Sequence, residues 1–203
     1  MDALVPLKPL ARAKTRLSGR LDDGARVRLM CLLLERTVGE AARAQSLERI
    51  VLVSSEPRSR EIADRHGIEW FDDGGLPWNE ALAAATQEAV DSDDVLMLSA
   101  DLPVVTSREI ETFVAAAPVR GLAIARARDG GTNAVLLRPA GAIVTCFGVP
   151  GSAARHARLA AEAMLPAAIV DLPGLATDLD SPDDVREVLR LGVSDELRQL
   201  LEP

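Results

Sequence analysis

VLMLSADLP, residues 95–103, puts four large apolar residues in a row and then stops at Ser99, Ala100 and Asp101. A strand with one wet face alternates apolar and polar residues. An unbroken apolar run of this length reads as a strand buried on both faces, the signature of a parallel sheet covered by helices on each side. RIVLVSS (49–55) has the same form, and Ala3 to Leu7 is a shorter run ended by Lys8-Pro9. Between these runs the spacing becomes helical. Val27, Leu29, Met30, Leu33, Leu34, Thr37 and Val38 recur on one face of an expected helix from Asp22 to Ala44. Pro57 to His66, closed by Gly67, reads as a second helix, Asn79 to Val90 as a third and Ser107 to Ala116 as a fourth.

Ile68 to Phe71, Leu122 to Ala127, Ala134 to Arg138 and Ala168 to Asp171 read as further strands, Ser152 to Met164 as a helix, and two short helices close the chain. The late strands are closely spaced, which predicts some antiparallel pairing. The expectation is an α/β fold: a Rossmann-like mixed, mostly parallel sheet with helices on both faces, in one domain over residues 1–203. Such sheets bind ligands beyond the carboxyl ends of their strands. Four places are nominated: after Leu7, after Val53, after Ala100 and near Asp171.

Composition narrows the function. With 203 residues, 48% of them apolar, the chain can bury one sizeable core. A formal charge of −8 argues against a general nucleic-acid binder, and 2% aromatic content leaves few stacking platforms for single strands. No apolar run reaches the roughly 18 residues that suggest a bilayer span, and MDALVPLKPL does not read as a signal peptide. Cys31 and Cys146 sit in apolar runs without metal-ligand spacing and read as buried free thiols of a cytoplasmic protein. Of 23 basic residues only Lys8 and Lys14 are lysine, six positions apart in one segment. They read as a pair of phosphate-binding ammonium groups.

Asp101 stands where a buried strand stops, and the next helix begins only near Thr106 or Ser107, so a cation ligand fits it better than a cap. TDLDSPDDV (177–185) divides in two. Ser181, Pro182, Asp183 and Asp184 make a helix start. Asp178 and Asp180 are left over. In an extended Asp-Leu-Asp segment they point to one side and Leu179 to the other, and two like charges on one face call for a cation. Mg²⁺ takes hard carboxylate oxygens together with substrate phosphates, so Asp101, Asp178 and Asp180 form a candidate metal site. DGGTNAVLL (129–137) is either an anion-binding turn at Gly130-Gly131, with Thr132 and Asn133 adding polar contacts, or a simple hairpin. GSAARH (151–156) opens a helix at which Ser152 either meets an anion or serves as the N-cap. His66 and His156 lack catalytic partners at a recognisable spacing and are expected at a surface or helix end.

VPLKPLARAKTRLS, SADLPVV, GTNAVLL, FGVPGSAARH and TDLDSPDDV, in this order, resemble the guanylyltransferases of coenzyme F-420 biosynthesis, described as phosphoenolpyruvate or 2-phospho-L-lactate guanylyltransferases. The similarity runs from about Leu4 to Val188. It implies a nucleotidyltransferase fold of the GT-A type, GTP as co-substrate and Mg²⁺, two ions, as metal. By motif, Asp101, Asp178 and Asp180 are implied as metal ligands. Thr132, Gly148 or Gly151, and Ser152 are implied to hold the phospho-acid. Lys8, Lys14 and Arg16 are expected to meet the triphosphate, and Pro6, Leu7, Ser54 and Asn79 to surround the base. The family pattern FGPGS carries one extra residue here, FGVPGS, and GLPWNEAL is likewise stretched. The expected partners are the two small substrates and a downstream biosynthetic enzyme that accepts a labile product. Two rivals remain: a nucleotidyltransferase for a sugar-phosphate or molybdopterin acceptor, and a non-catalytic nucleotide-binding subunit. The first usually shows a glycine-rich loop after the opening strand, whereas LKPLARAKTRLS is followed by a lone Gly19.

Overall fold

A computed structural model describes residues 1–202. Seven strands form one sheet in the order β3-β2-β1-β4-β6-β5-β7. The strands are β1 (Asp2–Pro6), β2 (Arg49–Val53), β3 (Glu69–Phe71), β4 (Val95–Leu98), β5 (Gly121–Arg126), β6 (Thr132–Arg138) and β7 (Ala167–Val170). All neighbours pair in parallel except β6, which runs antiparallel to both β4 and β5. The expected mixed, mostly parallel sheet is therefore present.

The helices are α1 (Asp23–Ala41), α2 (Pro57–His66), α3 (Trp78–Glu88), α4 (Ser107–Ala115), α5 (Ser152–Glu162), α6 (Pro173–Ala176), α7 (Pro182–Leu191) and α8 (Asp195–Leu201). Three helices follow β7 rather than the expected two, because PGLA forms one turn before the aspartate segment. The continuous apolar strands feed two cores. Leu96 and Leu98 of β4 join Leu29 and Leu33 of α1 and Phe113 of α4 on one face. Val95 and Met97 join Ala81, Leu82 and Ala85 of α3 and Ala153 and Ala160 of α5 on the other. Alternate residues of one strand thus pack into opposite cores, which is why the strand could carry no polar residue. Each fully buried leucine contributes roughly 1.5–3 kcal/mol to this arrangement.

The reversal of β6 builds the site. β1 and β4 are parallel, so Pro6 and Leu98 lie toward one edge. Leu98 pairs with Ala134, so the start of β6 lies at the same edge. Arg126 pairs with Thr132, and Ala125 of β5 with Val170 of β7, which brings the ends of β5 and β7 there too. Four segments distant in sequence converge on one rim.

β5 and β7 meet through a close backbone approach. Gly121 has φ +138°, and an added Cβ would strike the Pro166 carbonyl oxygen and lie 2.9 Å from Pro166 Cγ. Gly121→Ala is expected to cost about 1–3 kcal/mol, read as a lowered urea midpoint at unchanged m-value. An unshifted midpoint would show that the sheet tolerates separation of these strands at the edge opposite the rim.

Candidate active site

A cavity of about 460 Å³ lies at this rim, lined from the β1 end, the β4 end, the β5–β6 turn, the 148–152 loop and the aspartate segment. Two of the four nominated strand ends contribute, those after Leu7 and after Ala100; Asp171, after β7, lies outside the lining and accepts from the Arg126 guanidinium. The end of β2 does not contribute either: Ser54 is 1% exposed and absent from the lining. Its hydroxyl donates to the Leu7 carbonyl (2.8 Å) and accepts from the Glu56 amide (3.0 Å), so it ties β1 to β2 instead of meeting a base.

The segment after β1 is held rigidly. Leu10, Leu17 and Leu21 are buried in the core. Arg26 of α1 donates to the carbonyls of Ala13 and Leu21. Two short 3₁₀ turns, Leu10–Arg12 and Thr15–Leu17, flank Lys14, which adopts the left-handed conformation at φ +53°, ψ +36°. That conformation costs a non-glycine residue about 1 kcal/mol, and here it aims a side chain rather than relaxing a turn. The Lys14 ammonium lies 2.5 Å from Asp101 Oδ2 and 2.6 Å from Asp180 Oδ1. Burial pulls its pKa down, and the Asp101 and Asp180 carboxylates together outweigh that, so it stands above the ordinary lysine value. Burial raises Asp180, and the Lys14 ammonium more than offsets it, leaving that carboxyl below its ordinary value.

Asp178 completes the group. One oxygen from each of Asp101, Asp178 and Asp180 lies within 4.8 Å of the others. Leu179 between them is fully buried, so the two flanking aspartates face together as the extended pattern required. Asp184 secures the segment from α7: its carboxylate accepts from the amides of Asp180 (3.1 Å) and Ser181 (2.7 Å) and from the Ser181 hydroxyl (2.7 Å). The helix start thus reaches back and orients the acidic pair. Burial, then the charges of Asp101 and Asp180, push Asp178 up to about 7. Lys14 bonds two carboxylates and leaves this third one without a hydrogen-bonded cation. A cluster of three hard oxygen donors, one of them starved of counter-charge, fits a divalent ion such as Mg²⁺.

Lys8 and Arg16 also line the cavity, with Pro6 and Leu7. Lys8 Nζ lies 4.3 Å from the centroid of the Trp78 ring, and Trp78 stacks on Phe147 at 5.7 Å. Burial lowers the Lys8 pKa, against the raising effect of Asp101 and Asp180. Trp78 and Arg12 belong to the lining, yet the sequence reading passed them over. A tryptophan beside Asn79 in a chain with 2% aromatic residues was the available signal for the first.

Several of the expected contact residues make hydrogen bonds within the protein. Asn79, expected at the base, lies outside the cavity lining. Its Oδ1 accepts from the Phe147 amide (2.8 Å) and the Thr145 hydroxyl (3.1 Å), and its Nδ2 donates to the Phe147 carbonyl (3.1 Å). Asn133 borders the cavity, but its amide nitrogen donates to the Leu175 carbonyl at 2.9 Å. The Gly130-Gly131 turn is a hairpin whose amides are spent internally, on the Ala127 carbonyl and on Asp129 Oδ1. Gly148, at φ +74°, lines the cavity, whereas Gly151 is the N-cap of α5 and does not. Ser152 is not a cap: its hydroxyl is 2.8 Å from the hydroxyl of Thr132, and both residues border the cavity. His156, expected at a surface, is fully buried and bonds Thr132. His66 does end α2, and Cys31 is only half-buried, unlike Cys146. Among the described residues no helix is long and apolar enough to cross a membrane.

Comparison with known proteins agrees with this geometry. The family described as "Guanylyl transferase CofC like" matches residues 1–202. A phosphoenolpyruvate guanylyltransferase from Sphaerobacter thermophilus is 40% identical over 189 residues, covering 92% of this chain and 91% of its own. One from Rubrobacter xylanophilus is 35% identical over 187 residues, covering 90% of each. Among solved structures, a nucleotide-diphospho-sugar transferase from Desulfovibrio desulfuricans G20 superposes with a TM-score of 0.76 at 18% identity, over 98% of this chain and 90% of its own. A CMP:2-keto-3-deoxy-manno-octonic acid synthetase superposes with a TM-score of 0.57 at 12% identity, over 94% and 97%. These last two show the fold.

The charge arrangement makes a prediction about the metal-free chain. Folded, Asp178 keeps its proton up to about pH 7; unfolded, it releases it near the ordinary 3.8. Between those values the native state binds more protons, so this group makes stability fall as pH rises from about 4 to 7. In a chelator, Asp178→Asn should flatten that slope and melt above wild type at pH 8. Parallel pH profiles for the two proteins would overturn this account of Asp178.

Proposed function

The chain belongs to the CofC-like guanylyl transferase family, and from that premise we propose that it transfers GMP from GTP to phosphoenolpyruvate and releases pyrophosphate, as a step of coenzyme F-420 biosynthesis. The observation that carries this reading is the group of Asp101, Asp178 and Asp180 around Lys14 at the mouth of one cavity. The acceptor is chosen from the names of the relatives, phosphoenolpyruvate guanylyltransferases similar along nine-tenths of the chain.

The chemistry asks for charge neutralisation and alignment. A phosphate oxygen of the acceptor attacks the α-phosphorus of GTP, forming a P–O bond as the bond to the β-phosphate oxygen breaks. That nucleophile is ionised at neutral pH, so the reaction requires no general base. Lys8 and Arg16 meet the triphosphate. Lys14 has three N–H donors, two of them used by Asp101 and Asp180, and the third serves a phosphate oxygen. Thr132, Ser152 and the Gly148 turn, which line the same cavity, receive the acceptor. Asp101, Asp178 and Asp180 would hold magnesium, which when bound neutralises phosphate charge and polarises the phosphorus under attack. Fixed positive groups aimed at developing charge are the main source of rate in such a site.

Asp101→Asn and Asp180→Asn are each expected to lower GMP transfer by at least about a hundredfold with the fold intact. Pyrophosphate release together with circular dichroism checks this, and wild-type rates in both variants would sink the metal assignment. Lys14→Ala should chiefly raise KM for GTP. The acceptor is tested with a panel of phosphoenolpyruvate, 2-phospho-L-lactate and 3-phosphoglycerate under GTP and Mg²⁺. Phosphoenolpyruvate should give the highest kcat/KM. Preference for another acid would move the substrate, and no release with any acid would favour a non-catalytic nucleotide-binding role.

A further inference from the structure

We propose that His156 is a positioning residue for the acceptor: it sets the direction of a buried hydrogen-bond chain so that the Thr132–Ser152 pair turns one hydroxyl proton toward an anionic group in the cavity. The inference deepens the proposed function and rests on its reading of the cavity as a phospho-acid site.

His156 is fully buried on α5. Its Nε2 accepts a hydrogen bond from the Cys146 amide at 2.9 Å, so that nitrogen carries no proton. Burial holds the ring's pKa down at about 4, and the neutral imidazole must then carry its single proton on Nδ1. Nδ1 lies 3.1 Å from Thr132 Oγ1 and also bonds the Ser152 carbonyl, so the ring proton is shared between these acceptors and Thr132 donates nothing to the histidine. Thr132 Oγ1 also lies 2.8 Å from Ser152 Oγ.

The consequence follows by counting protons. The two hydroxyls own two protons, and their mutual hydrogen bond uses one. The histidine takes none, so one remains for the cavity, from Ser152 or from Thr132 according to which donates to the other. The opposite tautomer reverses this. Thr132 would give its proton to Nδ1, Ser152 would give its proton to Thr132, and only lone pairs would face a carboxylate or phosphate. That tautomer would also set the Nε2 proton against the Cys146 N–H, stranding a buried donor.

The direction is imposed from α3. Asn79 holds the residues on both sides of Cys146, accepting from the Phe147 amide and the Thr145 hydroxyl and donating to the Phe147 carbonyl. The Phe147 ring meets the His156 ring edge-on at 5.3 Å and fixes its plane. The Cys146 amide, His156 and the two hydroxyls therefore form one chain that ends at the cavity wall, and Asn79 braces its start through Thr145 and Phe147. The sequence placed Asn79 at the base; in the structure it acts on the acceptor side.

The chain contains two histidines, so the tautomer can be read directly in the native protein. In a chain labelled with ¹⁵N-histidine, two-bond proton–nitrogen correlations should show one ring, assigned by its loss in His156→Gln, neutral and protonated at Nδ1 from pH 6 to 8. A proton on Nε2, or a charged ring at pH 7, overturns the proposal. Kinetics give the second arm. His156→Asn returns an amide near the Nδ1 position, and His156→Gln one near Nε2. Each variant keeps one of the ring's two hydrogen bonds, so melting temperatures should fall together. KM for phosphoenolpyruvate should rise about tenfold in the Gln variant, with partial recovery in the Asn variant and KM for GTP unchanged in both. Equal acceptor KM values in the two variants, or GTP and acceptor KM rising together, would mark His156 as merely structural. A wild-type chain that turns over no phospho-acid would sink the proposed function, whereas the labelled spectrum reads the tautomer without substrate.

Discussion

The ammonium of Lys14, lodged between Asp101 and Asp180, is the contact on which the rim depends. It joins three segments that share no secondary structure: the turn after β1, the end of β4 and the stretch before α7. A lysine 9% exposed cannot remain charged without compensation, and a cluster of carboxylates repels itself without a cation. Each half of the pair is the other's remedy. The backbone concedes something to reach it, since Lys14 sits in a left-handed conformation that glycine would adopt freely. Glycine there would relieve the backbone and leave two aspartates facing Asp178 unopposed.

The elements were legible because their cause is local. Buried parallel strands must be apolar throughout, and RIVLV and VLML are. Helix α2 begins at Pro57 and ends in the left-handed Gly67, as its end signals required. The aspartate segment was legible for the same reason: period two puts Leu179 in the core and its neighbours together on the other side. The topology was only partly so. Short late strands suggested antiparallel pairing, but nothing local says that β6 inserts between β4 and β5, and that insertion brings Thr132 to the same cavity as Asp101.

The misreadings share another physical origin. Ser54 and Asn79 were polar residues near a strand end or in a loop, and their chemistry suits a ligand as well as a backbone. Which of the two they meet depends on a partner about 45 to 70 positions away. His156 misled in the opposite sense. It lacked a catalytic partner at any recognisable spacing because its partners, the Cys146 amide and Thr132, lie on a loop and on another strand. Polar residues used to close a tertiary structure leave no periodic trace.

The two halves of the cavity wall follow different electrostatic rules. On the aspartate side, formal charges compete at close range, and the outcome is set by how many cations three carboxylates can share. At the hydroxyl pair the bonded groups are neutral, and polarity is carried by the direction of hydrogen bonds from the Cys146 amide through His156 to Thr132 and Ser152. A site for the proposed reaction needs both. Opposed charges gather a triphosphate, but they cannot tell one end of a small phospho-acid from the other. A wall of oriented neutral donors can, because a donor placed for an anionic oxygen is wasted on a carbon skeleton. A neutral histidine suits that wall better than a charged one. An imidazolium would add a fixed positive charge on the acceptor side and compete with Lys8, Lys14 and Arg16 for the triphosphate. Burying His156 completely keeps the two kinds of recognition apart within one cavity.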